Sequence, residues 1–453
     1  MDLYYCKMKK PLIAVFAFLV GLTFGASAQT LPPNFLGTKT LYKTPAVKYT
    51  PAPAGYKPVF INHVGRHGAR HLTKEVNTAF AYASLFKADS AHALTIKGQK
   101  LWQMVKALDK VEKGNVKSIS AEGATELQGI GERMYAKYSN VFSANANLSV
   151  GITKEIRTKQ SAEAFLSGLK KELKTTPLVN EYNDDTDLRF YDFSPVYKQF
   201  EEDGEWVKYR DAIARDEHIA QINKTIAARF FTPAFVNTLD EDAKDKLVND
   251  IFGFATIVYS LKEEAHKAGL QPADVAFISL FNTNEIKILS KLDLADDYYK
   301  KGPGINNNGI QVRIAAPLLA NFIKTSDEFI KGGNITAQLR FAHAETISPF
   351  AALLGISIAD KATKTTNIGA VWQASKVIPL SSNIQWVFYK KANTDEYRVK
   401  ILLNEKEAHI TGMNATDFPY YKWDKLRALY INKLHQLNVG MDDDMMAWLK
   451  GVK

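Results

Sequence analysis

A short apolar run near residue 60 ends in a basic, glycine-containing turn. Residues 59–61 have the apolar character of a buried strand, and the sequence HVGRHGARH follows at residues 63–71. The turn holds a histidine flanked by arginines and followed by a glycine: His67, Arg66, Arg70 and Gly68. Arginine forks match phosphate oxygens in pairs, and glycine lets the backbone approach a ligand closely. The turn therefore favours a site for a phosphoryl group, with a solvated basic turn as the alternative.

A second segment, residues 338–350, has the same layout of an apolar strand, polar residues and an apolar helical run. Parallel strands bring their carboxyl ends to one edge of a sheet, so His343 and His67 are expected to face one crevice. Glu345 adds the carboxyl group that a leaving alkoxide needs as its proton source. Arg157 stands at a third predicted strand-to-helix junction, within residues 156–165.

Together these segments resemble the histidine acid phosphatases, which form branch 2 of the histidine phosphatase superfamily. The family motif Arg-His-Gly-X-Arg-X-Pro is matched from Arg66 to Arg70, but Leu72 stands at the place of the proline. Residues 343–345 are similar to the His-Ala-Glu variant found in multiple inositol-polyphosphate phosphatases and related phytases. Similar segments occur at residues 188–193, 279–281 and 402–405, so the resemblance extends from about residue 59 to 410.

The resemblance implies a role for each of these side chains. His67 would be the nucleophile that forms a phosphohistidine, and Glu345 would protonate the leaving oxygen and then activate water. The implied phosphate-binding residues are Arg66, Arg70, Arg157 and His343. His71, at the variable place of the motif, is a candidate contact to substrate. No cofactor is expected, and no metal, since arginines would replace a metal clamp and neither HExxH spacing nor a Cys/His cluster occurs.

The function implied by the resemblance is stepwise hydrolysis of phytate and other inositol polyphosphates. A broad-specificity acid phosphatase acting on sugar phosphates or nucleotides would use the same catalytic residues. A non-catalytic polyanion-binding protein is disfavoured, because a retired phosphatase is expected to have lost at least one of these reactive side chains.

The amino end has the layout of a signal peptide over residues 1–28. Three lysines precede an apolar run at residues 12–24, and small residues follow at 26–28. The run is short for a membrane span, so an uncleaved anchor is the less favoured alternative. Cleavage near Ala28 would remove Cys6, the single cysteine, and leave a periplasmic or secreted protein without disulfides.

The net charge of +10 would steer polyanions towards a cleft. Nucleic acid is the competing polyanion, but the sequence contains no nucleic-acid-binding motif. The expected partner is therefore a small-molecule substrate. We expect no membrane association after cleavage of the leader, and a monomer.

From Lys57 onward strands alternate with helical patterns, which predicts an α/β fold with a mixed, mainly parallel sheet flanked by helices. The predicted phosphatase core comprises residues 29–174 and 301–453, and residues 175–300 form a mostly α-helical insertion. Residues 29–58 are expected to run extended over the surface, residues 129–131 to break a helix, and residues 376–410 to form antiparallel strands. Four cations in or next to the insertion are candidate ligands that we interpret as surface charges: Arg189, Lys198, Lys300 and Lys301.

Overall fold

The computed structural model describes residues 31–32, 35–142, 146–171, 173 and 175–452. The predicted signal peptide lies outside these residues and stays a prediction. Among the residues that the structure describes, no helix is long and apolar enough to cross a membrane.

One mixed sheet organises the described part of the chain. Its eight strands are β1 (Tyr56–Arg66), β2 (Asn147–Ile152), β3 (Leu178–Asn183), β4 (Ala337–Ala342), β5 (Asn383–Lys391), β6 (Tyr397–Leu403), β7 (Lys406–Glu407) and β8 (Tyr421–Lys422). The strand order is β3-β2-β4-β1-β5-β6-β7, with β8 paired to β6.

Strands β1 to β4 pair in parallel, and β5 to β8 pair antiparallel. The mixed α/β sheet is confirmed, as are the antiparallel strands within residues 376–410, but the parallel share is smaller than the sequence predicted. In the central pair, Arg66 at the end of β1 lies opposite Ala342 at the end of β4. The next residues, His67 and His343, therefore leave the sheet side by side.

Helices flank the sheet and continue into a helical region beside it. They are α1 (Phe80–Ser90), α2 (Ile96–Glu112), α3 (Ala121–Tyr138), α4 (Ile156–Lys171), α5 (Asp185–Leu188), α6 (Pro195–Asp203), α7 (Trp206–Asp216), α8 (Ile219–Phe230), α9 (Pro233–Val236), α10 (Glu241–Ile257), α11 (Lys262–Lys267), α12 (Thr283–Lys301), α13 (Ile310–Arg313), α14 (Ala316–Ile330), α15 (Ala344–Leu354), α16 (Ala374–Val377), α17 (Trp423–Gln436) and α18 (Met445–Gly451). Side-chain caps fix several helix starts: Thr95 caps α2, Ser120 caps α3, and Asn282 with Glu285 forms a capping box on α12.

Three apolar clusters give the molecule its core. Phe60 and Val64 of β1 belong to one cluster and Ile61 belongs to another, because alternate side chains of a strand point to opposite faces of the sheet. The third cluster joins α1 and α2 to α8, α10 and the start of α12. The buried apolar residues of α10 lie in this third cluster.

The helical region does not coincide with residues 175–300. Strand β3 lies inside that range but belongs to the sheet, so the helical part begins at Asp185. Helices α1 and α2, which the prediction put in the core, pack into the helical cluster. The division into domains itself stays a prediction.

Helix α3 runs unbroken through residues 129–131, so the predicted break is wrong. A Cβ on Gly131 would collide with the carbonyl oxygen of Phe165 in α4, and a Cβ on Gly168 would collide with the backbone of α3. These two glycines allow the close contact of α3 and α4. The latter helix carries Arg157 near its amino end.

We expect Gly131→Ala to lower the free energy of unfolding by about 1–3 kcal/mol, because the added methyl group meets backbone atoms that cannot move separately. The matched control is Gly253→Ala in α10, where a Cβ meets nothing within 4 Å. That change should raise stability by up to about 1 kcal/mol through helix propensity. Denaturant titration followed by circular dichroism measures both, and equal effects would contradict the role of Gly131.

Candidate active site

The turn after β1 is anchored by backbone contacts on both sides. The amide of Arg66 donates to the carbonyl of Ser382 at 2.7 Å, and that of His67 donates to the carbonyl of Ala342 at 2.9 Å. A Cβ on Gly68 would lie 2.7 Å from the carbonyl oxygen of Gly123 in α3, so the backbone can approach this helix only at a glycine. The turn is thus fixed between β4 and α3.

The hydrogen bond of the His67 ring determines its tautomer. Nδ1 lies 3.0 Å from the carbonyl oxygen of Gly68, which can only accept, so Nδ1 carries the proton and Nε2 keeps its lone pair. Burial, followed by the charges of Arg66 and Arg157, keeps the pKa of His67 well below its ordinary value. The ring is therefore neutral, with a free nucleophilic nitrogen.

Arg66 and Arg70 are held partly by backbone carbonyls. Nη1 of Arg66 donates to Thr38 at 2.6 Å and to Ile378 at 2.7 Å, and Nη1 of Arg70 donates to the carbonyl of His71 at 2.7 Å. Burial lowers the pKa of each arginine to about 10, so both stay charged at neutral pH. Nε of Arg66 is buried and has no hydrogen-bond partner among the described residues, which leaves it available to a ligand.

Arg157 and His343 contact each other directly. Nη2 of Arg157 lies 3.2 Å from Nδ1 of His343; the guanidinium can only donate, so Nδ1 accepts. Nε2 of His343 therefore carries the proton and donates to Oγ1 of Thr153 at 3.1 Å. Burial and the charge of Arg157 keep the pKa of His343 well below its ordinary value. The rings of His343 and His67 are 5.6 Å apart between centroids, so the two predicted histidines share one site.

Glu345 lies in the first turn of α15, with its carboxylate against a lysine of the helical region. Oε1 of Glu345 is 2.9 Å from Nζ of Lys301, which also pairs with Asp297 at 3.0 Å. Burial raises the pKa of Glu345, but the charge and hydrogen bond of Lys301, together with His343 and a backbone hydrogen bond, outweigh burial and hold the pKa below its ordinary range. The interpretation of Lys301 as a surface charge is wrong, because its side chain is only 16% exposed and contacts Glu345, the predicted proton donor.

Sequence reasoning missed two further side chains at the site, Thr153 and Lys39. Thr153 follows β2 directly, so the rule that located the histidines at strand ends could have found it. Nζ of Lys39 donates to Oγ1 of Thr256 in α10 at 2.8 Å, and burial, with the nearby Arg70 contributing, lowers the pKa of Lys39. The segment that contains Lys39 was expected to run over the surface, but its Thr38 carbonyl also holds Arg66.

His71 is buried and lies beside two carboxylates. Its Nδ1 is 3.3 Å from Glu112 and its Nε2 is 4.0 Å from Glu264. Two neighbouring carboxylates would repel a phosphate, so His71 is better placed to link the turn to α2 and α11 than to bind phosphate. The predicted substrate contact of His71 has no support in this geometry and stays a prediction.

The three other cations named with the insertion have different surroundings, and Lys198 among them is exposed. Arg189 pairs with Glu155 and Asp192, and Glu155 also accepts from Arg157 at 2.6 Å. Lys300 stacks over the ring of Trp206. No group of three or more His, Cys, Asp or Glu side chains in the described part of the chain could hold a metal ion.

The family model described as the histidine phosphatase superfamily (branch 2) matches residues 59–404. The chain belongs to this family. The phosphatase is 24% identical over 426 residues to multiple inositol polyphosphate phosphatase 1 of Gallus gallus, with 90% of each chain covered. It is 23% identical over 313 residues to the Homo sapiens protein of the same name, covering 63% of this chain and 60% of that one.

Solved structures have the same fold. Bifidobacterium longum multiple inositol polyphosphate phosphatase in complex with inositol hexasulfate has a TM-score of 0.77 at 20% identity, covering 88% of this chain and 97% of that one. A phytase from D. castellii has a TM-score of 0.63 at 18% identity, covering 89% and 85%. The resemblance inferred from the motifs is therefore confirmed for the family and for the fold.

We expect Thr153→Val to weaken the binding of inorganic phosphate about fivefold, because the hydrogen bond that orients His343, worth about 1 kcal/mol, is lost. Isothermal titration calorimetry measures the change. Thr225→Val is the matched control, since this exposed threonine on α8 bonds only within its own helix. Unchanged affinity in the Thr153 variant would show that Thr153 does not position His343.

Proposed function

We propose that this phosphatase is an exported phosphomonoesterase that removes phosphates stepwise from phytate and other inositol polyphosphates through a phosphohistidine on His67. The observation that carries the proposal is the neutral His67 ring, with its Nε2 lone pair free beside Arg66, Arg70 and Arg157. A neutral imidazole among fixed cations suits attack on an anionic phosphoryl group.

In the first step, Nε2 of His67 attacks phosphorus, a P–N bond forms, and the P–O bond to the ring oxygen of the substrate breaks. A protonated Glu345 gives its proton to that leaving oxygen. The ring of His67 gains positive charge, which the Gly68 carbonyl stabilises through the Nδ1 proton. Arginine N–H groups hold the remaining phosphoryl oxygens, and His343 orients the Arg157 guanidinium by accepting its hydrogen bond at Nδ1.

In the second step, the Glu345 carboxylate takes a proton from a water molecule whose oxygen attacks phosphorus. The P–N bond breaks, and its electron pair returns to Nε2 of His67. Inorganic phosphate leaves, and the proton that Glu345 takes from water balances the one it gave to the leaving oxygen. Neither step requires a metal or an oxidant.

The substrate class is supported by the names of the relatives and by the charge of the site. Both animal relatives are named as multiple inositol polyphosphate phosphatases, and the solved Bifidobacterium longum protein binds inositol hexasulfate, a polyanion with phytate's layout of anionic groups. Lys39 and Lys301 add cations beyond the arginines that surround His67. Such a site suits a substrate with several phosphates better than one with a single phosphate.

The proposed export rests on the signal peptide predicted at residues 1–28.

The test is purified mature protein incubated with phytate without added metal, with products separated by ion chromatography. We expect stepwise release of phosphate, and a loss of at least about a thousandfold in His67→Ala, because the proposed nucleophile is removed. His435→Ala removes an exposed histidine of α17 and should leave turnover unchanged. Turnover of small monoesters but not of phytate would indicate a broad acid phosphatase. Release of phosphate from neither would contradict the proposal.

Glu345→Gln should lower kcat/KM for phytate by about a hundredfold to ten-thousandfold, because the alkoxide then leaves without a proton. The loss should be much smaller for p-nitrophenyl phosphate, whose leaving group is stable as an anion. Steady-state kinetics on both substrates measure the difference. Glu263→Gln, which breaks an exposed glutamate–lysine pair on α11, is the control. Equal losses on the two substrates would exclude Glu345 as the proton donor.

A further inference from the structure

The ion pair between Lys301 and Glu345 joins the helical region to the catalytic residues. Lys301 is the last residue of α12, and Asp297 stands one turn earlier on the same helix. The side chain of Glu345 is 35% exposed, whereas that of Lys301 is 16% exposed. The pair is therefore open to a ligand on the Glu345 side and supported by Asp297 on the other.

This pairing opposes the first step of the proposed reaction. A proton donor must be neutral before it can act, but a cation at 2.9 Å stabilises the charged carboxylate. The free enzyme thus holds Glu345 in the form that the second step needs. Something must separate Lys301 from Glu345 before the first step.

Glu345 has charged or titratable neighbours on every element around it. These are Lys301 and Asp297 on α12, Glu201 and Tyr197 on α6, Tyr191 in the turn at 190–192, His343 before α15, Arg66 at the end of β1 and Arg70 in the turn after it. Lys301 is the one among these whose side chain forms a salt bridge with Glu345. The acid Glu201 acts in the other direction, since negative charge nearby favours a neutral Glu345.

We propose that Lys301 is a positioning residue, and that a second phosphate of the substrate takes the Lys301 ammonium away from Glu345, which then binds the proton it will donate. The proposal rests on the proposed function and adds the group that prepares the donor.

Competition between phosphate and carboxylate supplies the physical reason. A phosphate monoester carries between one and two negative charges near neutral pH and offers three acceptor oxygens, so it attracts an ammonium group more strongly than one carboxylate does. Once Lys301 has moved to that phosphate, Glu345 faces anionic groups and takes a proton from solvent. The proton goes to the leaving oxygen and is replaced from the attacking water.

The consequence is a preference for substrates with several phosphates over those with one, and this preference does not depend on binding affinity alone. A substrate with neighbouring phosphates draws Lys301 away, so that Glu345 becomes the neutral carboxyl that can donate a proton. An ester with one phosphate leaves Lys301 paired with Glu345. Polyphosphorylated small molecules are therefore turned over up to a higher pH than single esters.

The test is the pH profile of kcat/KM for glycerol 2-phosphate, which has one phosphate and a poor leaving group. For this substrate kcat/KM reports ionisations of the free enzyme. The fall of kcat/KM on the alkaline side of the profile therefore follows the deprotonation of Glu345. Lys301→Met should move that fall upward by about one to three pH units, because the stabilising cation is lost. Lys301→Arg keeps the charge and should leave the fall near its original pH. Lys246→Met breaks an exposed ion pair on α10 and should not move it.

Asp297→Asn is a second variant, for which the expected shift of the pH profile has the opposite direction. Without the Asp297 charge, Lys301 pairs with Glu345 alone, so the alkaline fall of kcat/KM should move to lower pH. A purely structural role of the cluster would not produce opposite shifts in the two variants. Circular dichroism checks that each variant is folded, and Asp297→Asn carries the test if Lys301→Met is not.

The same series on phytate completes the test. In the wild type, kcat for phytate should stay high to a more alkaline pH than kcat for glycerol 2-phosphate. Lys301→Met should remove this difference and raise KM for phytate. Unmoved profiles in folded variants would overturn the role of Lys301 while leaving the proposed function intact. No phosphate release by the wild type from either substrate would instead contradict the proposed function.

Discussion

The site depends on the burial of the Arg66 guanidinium between the carbonyls of Thr38 and Ile378. A buried charge is costly unless it is hydrogen-bonded, and these two carbonyls supply bonds without neutralising the charge. They also connect the end of β1 to two segments that are distant in the chain. Because a carboxylate does not satisfy Arg66, its positive charge remains available to a phosphoryl group.

Burial and the surrounding cations together set the state of both reactive groups. Burial and the arginines both disfavour an imidazolium, so His67 is neutral and nucleophilic. Burial opposes a charged Glu345, but Lys301 and its other neighbours outweigh burial, so Glu345 is charged before substrate arrives. The first effect assists attack on phosphorus, whereas the second must be reversed for the leaving group to be protonated. A substrate rich in phosphates can reverse it, because it brings the negative charge that the free site lacks. This links the chemistry of the site to the class of substrate that we propose.

Much of the fold and the site could be predicted, because strand ends in a parallel sheet meet at one edge, and the β1–β4 register places His67 beside His343. The remaining features depend on partners that local patterns do not reveal. In the sequence Lys301 looks like any lysine at the end of a helix, because its partner Glu345 is distant in the chain and comes close only in the folded structure. Gly131 suggested a helix break because glycine is a weak helix former, but the contact of α3 with α4 requires it. Strand β3 fell inside the predicted insertion because its sequence shows little apolar alternation at an exposed edge.

Identifying the ring nitrogen of His67 that is phosphorylated tests the proposed phosphohistidine directly. Protein mixed with phytate is quenched within milliseconds in alkali, digested, and analysed by mass spectrometry and phosphorus NMR. Phosphate on Nε2 is the predicted result, because Nδ1 is occupied by its hydrogen bond to Gly68. Phosphate on Nδ1 or on another residue, or turnover without any phosphoenzyme, would contradict attack by Nε2 of His67.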